Sequence, residues 1–388
     1  MTACEARMRN RYRWSGVSLL LTSLGSYWKR SKVAATPKNP PTMEPCPEAA
    51  PLFTFGVIAD IQYADIEDGY NFHQSSRRYY RSSLRLLGNA QRRWEEDKPS
   101  FLLQLGDIID GFNKRDGASE RALEAVLGQL RSGGPAEVHH VWGNHEFYNF
   151  SRSALLGSEL NSAHRGAESP VGSPARADIY AYHFTPFPGF RFVVLDAYDV
   201  SLLGREEQSE EYRRALSLIR NHNQNQDLNC PPMCFGLNQR FTMFNGGFSQ
   251  DQLDWLHSVL SAADENQEKV TIISHLPVHP ASTTFVCLAW NFDDLLAVIR
   301  SHRSVVCYMA GHDHDGGYCW DGATGVHHLT FEGVVETPPD SDAFATVFVY
   351  EDRMVLKGSG RTSDRQLLFR HPEEPADGGS ECSELSDD

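Results

Sequence analysis

Carboxylate, amide and imidazole side chains recur in this chain at short spacing, each time after an apolar run: Asp60-Ile61-Gln62, Gly106-Asp107, Gly143-Asn144-His145-Glu146, Ser274-His275 and Gly311-His312-Asp313-His314. Such a set could hold two divalent ions about 3.5 to 4 Å apart, which need one shared carboxylate, two or three further ligands each, and open positions for substrate. Asp107 fits the shared position. Asp60 with Gln62, and His312 with His314, stand at i and i+2 on strand ends, so each pair directs two side chains to one side. Asn144 and His275, both neutral, complete the set without overcharging it, and Gly143 and Gly311 would let the backbone turn sharply beneath the ions. Each piece alone has a plainer reading, since Asp after a strand commonly starts a turn and a single Asn or Gln commonly caps one. Donors at five strand ends together point to one metal centre.

Positioning these residues takes strands whose tips share a crevice. The apolar runs at 53–59, 101–105, 138–142, 270–274 and 305–310 read as buried strands. Between them the period changes: 76–95, 118–130, 205–222, 249–262 and 291–300 read as helices, the fourth opened by the capping box Ser249-Gln250-Asp251-Gln252. Alternating strands and helices predict parallel βαβ units, with ligands bound beyond the carboxyl ends of the strands. Another buried strand is expected at 190–197. Residues 151–177, rich in Ser, Gly, Ala and Pro, read as an irregular insertion, and 223–247 as a long loop suited to a lid. Past residue 325 the pattern changes to strands at 326–331, 346–350 and 354–357 without helices, so an antiparallel edge or second sheet should close the fold.

The 388 residues, 40% of them apolar, suffice for one large α/β domain with extensions. A formal net charge of -15 argues against a channel for nucleic acid. Eight scattered cysteines without a Cys-x-x-Cys pair suit free thiols in a reducing compartment such as the cytoplasm. Residues 1–50 form a separate stretch, basic at Arg7, Arg9, Arg11 and Arg13, with Glu5 as the single acid before Glu44. They read as an extension without a fold of its own; a targeting signal is the competing reading, and Met43 is an alternative start. Its apolar part is too short to span a bilayer. The domain is expected over 51–370, and the tail 371–388, with seven acids and no Lys or Arg, should be disordered.

The ordered set Asp60-x-Gln62, Gly106-Asp107, Gly143-Asn144-His145-Glu146, His275 and Gly311-His312-Asp313-His314 resembles the calcineurin-like metallophosphoesterases. Members usually carry Asp-x-His where this chain has Asp60-Ile61-Gln62, a change from imidazole to a harder amide oxygen that should favour manganese or magnesium over zinc. The stretches 58–65, 70–72, 245–250 and 311–318 resemble, within that superfamily, the manganese-dependent ADP-ribose/CDP-alcohol diphosphatases. The resemblance implies a four-layer αββα sandwich and a centre of two divalent ions, Mn2+ ahead of Mg2+ or Zn2+. It implies Asp60, Gln62 and His314 on one ion, Asn144, His275 and His312 on the other, and Asp107 between them.

The implied reaction is in-line attack on phosphorus that splits the pyrophosphate of ADP-ribose or a CDP-alcohol into a nucleoside monophosphate and a phosphate monoester. His145, beside Asn144, is the candidate acid for the leaving oxygen. Asn71 and Phe72 are candidates for nucleobase recognition, and Cys287 for lining the same pocket. A monomer acting on small nucleotide diphosphates, with neither nucleic acid nor membrane as partner, is expected. The rival functions are a cyclic nucleotide phosphodiesterase or protein phosphatase on the same centre, or a non-catalytic scaffold.

Overall fold

The structure is a computed structural model and describes residues 50–71, 74–132, 137–166, 172–174, 176–233 and 235–369. The expectations for the basic extension, the acidic tail and Phe72 therefore lie outside the described residues.

In chain order the elements are β1 (Phe53–Ile58), β2 (Gly69–Tyr70), β3 (Arg77–Arg78), α1 (Tyr80–Asp97), β4 (Phe101–Gln104), α2 (Phe112–Arg115), α3 (Ser119–Ser132), β5 (Glu137–His140), α4 (Asn144–Asn149) and α5 (Arg152–Leu156). There follow β6 (Tyr182–Phe187), β7 (Phe190–Val194), α6 (Glu210–His222), α7 (Gln250–Glu265), β8 (Lys269–Ile273), α8 (Phe292–Arg300) and β9 (Val305–Ala310). The chain ends in β10 (Gly317–Asp321), β11 (Val326–Thr330), β12 (Ala343–Val349), β13 (Arg353–Gly360) and β14 (Arg365–Leu368). Two six-stranded sheets result, ordered β14-β13-β12-β1-β4-β5 and β10-β11-β9-β8-β7-β6. β1, β4 and β5 run parallel in the first, and β7, β8, β9 and β11 in the second. The remaining strands pair antiparallel at the flanks, β12 on β1 among them, as the helix-free final third implied.

The period-2 alternation of β1 sends Phe53 and Phe55 between the sheets, where they meet aromatic rings of the second sheet edge to face. Phe55 lies 5.2 Å from Phe192 at 83°, Phe101 lies 5.2 Å from Phe192 at 80°, and Phe53 lies 5.4 Å from Phe190 at 75°. Such pairs contribute roughly 0.5 to 1.5 kcal/mol each beyond their buried area. On the outer face of the first sheet, α1 lays Trp94 over Gly56, where a Cβ would stand 2.6 Å from the indole, and against Phe344. α7 packs on β8 and on α8 outside the second sheet. The order is helix, sheet, sheet, helix, so the four-layer αββα expectation is met.

Several boundaries differ from the sequence reading for identifiable reasons. α1 starts at Tyr80, because Arg77–Arg78 pairs with Gly69–Tyr70 in a short ladder. α6 starts at Glu210, where the Ser209 hydroxyl accepts from Tyr212 N. The supposedly irregular 151–177 begins with α5, capped by Ser151. At α7 the capping box is half formed: Ser249 Oγ accepts from Gln252 N, while the Gln252 side chain turns to the Asp196 backbone. Within the 223–247 loop Asn223 donates to carbonyls of Cys230 and Phe241, and the segment is tied to the body where Asn245 Nδ2 donates to Val286 O and Arg240 Nε to Trp290 O.

Candidate metal centre

Asp60, Asp107, Asn144, His275 and His312 follow the ends of β1, β4, β5, β8 and β9, and the two sheets bring those ends together. Hydrogen bonds across the sheets set the spacing: His275 Nδ1 donates to Leu105 O at 2.7 Å, and His312 N donates to Asp60 Oδ2 at 2.9 Å. Asp107, His275 and His312 each offer a ligand atom within 4.8 Å of the others. Gln62 Nε2 lies 3.1 Å from Asp107 Oδ2 and 3.0 Å from His314 Nε2, and His314 Nε2 lies 3.3 Å from Asp60 Oδ1.

The backbone at these strand ends is held in the left-handed region. Asp60, Gln62, Asp107 and His312 have φ of 51°, 41°, 57° and 71°. Conformations of this kind cost of order 1 to 3 kcal/mol each and persist where the surroundings impose them. Gly106, at φ 98°, is the strand-end glycine that turns in this way. Gly143 and Gly311, expected to supply sharp turns, supply room instead. A Cβ on Gly143 would lie 2.2 Å from Asp107 Oδ1, and one on Gly311 would lie 2.6 Å from Asp60 Oδ2.

Each imidazole has its tautomer set by a partner on the far side of the ring. His275 spends Nδ1 on Leu105 O and turns Nε2 inward; His312 Nε2 meets Asn245 Oδ1 at 2.8 Å, which turns Nδ1 inward; His314 Nδ1 meets Glu336 Oε1 at 2.9 Å, which leaves Nε2 facing Asp60. His145 is reversed, its Nδ1 accepting from Gly111 N at 2.8 Å. Glu146 accepts backbone N–H bonds from Gly143, Asp107 and Ile108 at 2.6, 2.8 and 2.7 Å and so clamps the β4 and β5 loops together. The Tyr198 hydroxyl lies 3.2 Å from Asn144 Oδ1.

Charges alternate through the centre. Burial would raise the Asp107 carboxyl, but His275, His145 and His312 hold it far below the usual range. Burial works against a charge on His275 and His314, yet Asp107 lifts the first to about 9, and Asp60 with Glu336 lifts the second to about 10. Burial, with His275 beside it, keeps His312 well below its ordinary value. Protons on two of the three imidazoles offset the carboxylates, and a cation is what such protons exchange for. Asp60 Oδ1 and Gln62 Oε1 are buried and accept no hydrogen bond. Buried acceptors left so are costly, and an electropositive ion would satisfy both after a half-turn of the Gln62 amide. Oxygen and imidazole donors around a shared carboxylate fit divalent ions of intermediate hardness.

Glu336 and Tyr198 lie outside the motifs read in the sequence, and Asn245 stood in the 245–250 stretch without an assigned role, because each reaches the centre through tertiary contacts. Of the substrate candidates, Asn71 spends its amide on its own turn, Oδ1 accepting from Ser75 N and Ser76 N at 2.9 and 3.3 Å. Cys287 closes a single turn, Phe285–Cys287, and burial with the carboxylates of Asp313 and Asp60 pushes its thiol well above the ordinary value. It is a neutral, half-buried group near the centre.

The calcineurin-like phosphoesterase profile matches residues 53–316. A manganese-dependent ADP-ribose/CDP-alcohol diphosphatase of Danio rerio is 56% identical over 320 residues, covering 82% of this chain and 99% of its own length. The protein of that name from Homo sapiens is 53% identical, covering 82% of this chain and 93% of its own. A crystal structure of a dimetal phosphatase from Danio rerio superposes with a TM-score of 0.79 at 55% identity, over 82% of this chain and all of the other. Ordered motif, layered fold and full-length relatives agree: the chain belongs to the calcineurin-like phosphoesterase family.

Proposed function

We propose that this chain is a manganese-dependent hydrolase that splits the pyrophosphate bond of ADP-ribose and of CDP-alcohols such as CDP-choline, CDP-ethanolamine and CDP-glycerol. The products are AMP or CMP and ribose 5-phosphate or a phosphoalcohol. The observation that carries the reading is the gathering of Asp107, His275 and His312 with ligand atoms within 4.8 Å of one another, in a chain whose relatives bear this activity in their names. Asp60, Gln62 and His314 would hold one ion and Asn144, His275 and His312 the other, with Asp107 between. Bound there, the ions supply Lewis acidity and a nucleophile at neutral pH.

The chain's own residues do the rest. Glu146 fixes the Asp107 and Gly143 loops by three backbone bonds, so the shared carboxylate cannot swing away. Because Gly111 N occupies His145 Nδ1, the neutral ring presents Nε2–H, which lies 3.9 Å from Asp107 Oδ2. That N–H donates to the leaving phosphate oxygen as charge grows on it. Cys287, kept neutral, offers an apolar rim for the rest of the substrate.

Among the described residues Cys287 and Cys307 are free thiols, which supports a reducing compartment such as the cytoplasm, and no described helix is long and apolar enough to cross a membrane. The test is a panel of ADP-ribose, CDP-choline, a cyclic nucleotide and p-nitrophenyl phosphate with Mn2+, Mg2+ or Zn2+. ADP-ribose and CDP-choline should be cleaved fastest, with Mn2+. Preference for the monoester or the cyclic nucleotide would contradict the reading.

A further inference from the structure

Arg78 lies outside every motif that marks the metal centre, on the two-residue strand β3, yet its guanidinium reaches two buried acids that flank the site. Its Nε donates to Glu336 Oε1 at 3.2 Å, and Nη1 lies 3.6 Å from Asp110 Oδ2. Those two acids do not serve each other. Glu336 Oε1 meets His314 Nδ1 at 2.9 Å, and Asp110 Oδ2 lies 3.4 Å from His145 Nδ1. The result is a row of close neighbours, His314–Glu336–Arg78–Asp110–His145, hydrogen-bonded or ion-paired as far as Asp110, whose Oδ2 then faces His145 Nδ1 across 3.4 Å. Asp110 Oδ1 is spent on Phe112 N at 2.8 Å, while its Oδ2 is buried and accepts no hydrogen bond, so position relative to Arg78 is what restrains it. Without that cation nothing offsets the Asp110 carboxylate where it faces the lone pair of His145 Nδ1, so the two would move apart, and Glu336 loses the partner that aims it at His314.

We propose that Arg78 is a positioning residue of the hydrolytic centre, holding Glu336 against His314 and Asp110 beside His145 so that one guanidinium fixes a metal-binding ring and the leaving-group donor together. The inference rests on the roles given to His314 and His145 under the proposed function. A planar guanidinium suits the task, since its Nε donates to Glu336 while Nη1 sets its charge 3.6 Å from Asp110 Oδ2; a lysine would place one point charge without that spread.

The experiment uses full-length Arg78→Gln and Arg78→Lys, checked for fold by circular dichroism, with Mn2+ binding read from the electron paramagnetic resonance of free Mn2+ and turnover of ADP-ribose measured alongside. Arg78→Gln should weaken Mn2+ binding by about 10-fold or more, within the usual range for a group that orients a metal ligand. It should lower kcat by about 10-fold with KM moved far less, and Arg78→Lys should fall between it and the parent. Added to His145→Ala and assayed at saturating Mn2+, Arg78→Gln should cost little further kcat, because the donor it positions is already gone. Should Arg78→Gln not fold, Arg78→Lys carries the same readouts. Mn2+ affinity unchanged in a folded variant, full additivity with His145→Ala, or a rise in KM at constant kcat would each overturn the proposal. A parent protein that binds no Mn2+ overturns the proposed function and this inference with it, whereas a parent that binds Mn2+ but prefers another phosphate ester overturns the substrate assignment alone.

Discussion

His145 Nδ1 lies 2.8 Å from the backbone nitrogen of Gly111 and accepts its hydrogen bond, which leaves the proton of the neutral ring on Nε2. Burial lowers the pKa of this ring, against the pull of Asp107 and Asp110, so the neutral donor is the resting form. His145→Ala should therefore reduce kcat on ADP-ribose by about 10²- to 10³-fold, the usual worth of one positioned hydrogen-bond donor to a developing charge. KM should move far less, as for an interaction made mainly in the transition state. On an aryl phosphodiester that releases a stable phenolate the penalty should shrink. An equal penalty on both substrates, with loss of bound metal, would identify His145 as a support for the metal centre.

Gln62 stands between Asp107 Oδ2 and His314 Nε2 at 3.1 and 3.0 Å, at the place where the resemblance leads one to expect an imidazole. Replacing its amide by a softer ring, Gln62→His, should raise affinity for Zn2+ relative to Mn2+. Competitive titration of the two metals measures the ratio. An unchanged ratio would remove Gln62 from the ligand set.

How much of this was legible in the sequence differs by type of contact. The five strand ends were readable because a short apolar run ending in a polar group follows from burial alone. β9 falls at Val305–Ala310 as read, and the buried face of α7 contains Leu253, Leu256 and Leu260. β6 and β10 escaped notice, since Pro186 interrupts one and Gly317, Tyr318 and Asp321 dilute the alternation of the other. The half-used capping box shows the limit of local rules: Gln252 is buried, and the unpaired Asp196 backbone claims it before Ser249 can. Tyr198 and Glu336 carry no local pattern, and Asn245 was visible only as part of 245–250 without a role, because what makes them matter is a partner 54, 22 or 67 residues away. Glu146 was visible inside its motif, but its role as a clamp on Asp107 and Ile108 required the fold.

Gly143→Ala tests the space argument. The backbone at this residue, φ -105° and ψ -173°, suits alanine, but the added methyl would meet Asp107 Oδ1 at 2.2 Å and His275 Cε1 at 2.7 Å. The variant should fold, with stability reduced by about 1 to 3 kcal/mol as for other overpacked sites. Its turnover should fall by at least about 10²-fold, the scale expected when reacting groups shift by about 1 Å. Thermal melting and ADP-ribose hydrolysis are the measurements. Near-normal turnover would show that Asp107 can move without loss.

The central claim is that Asp107 joins two ions, and metal content tests it most directly. Purified parent protein and Asp107→Asn are equilibrated with Mn2+, desalted and analysed for ions per chain, with circular dichroism to confirm the fold and ADP-ribose hydrolysis run in parallel. The parent should retain two Mn2+ per chain, and a folded Asp107→Asn should lose at least one of them together with its turnover. Two retained ions and normal turnover in Asp107→Asn would contradict the account.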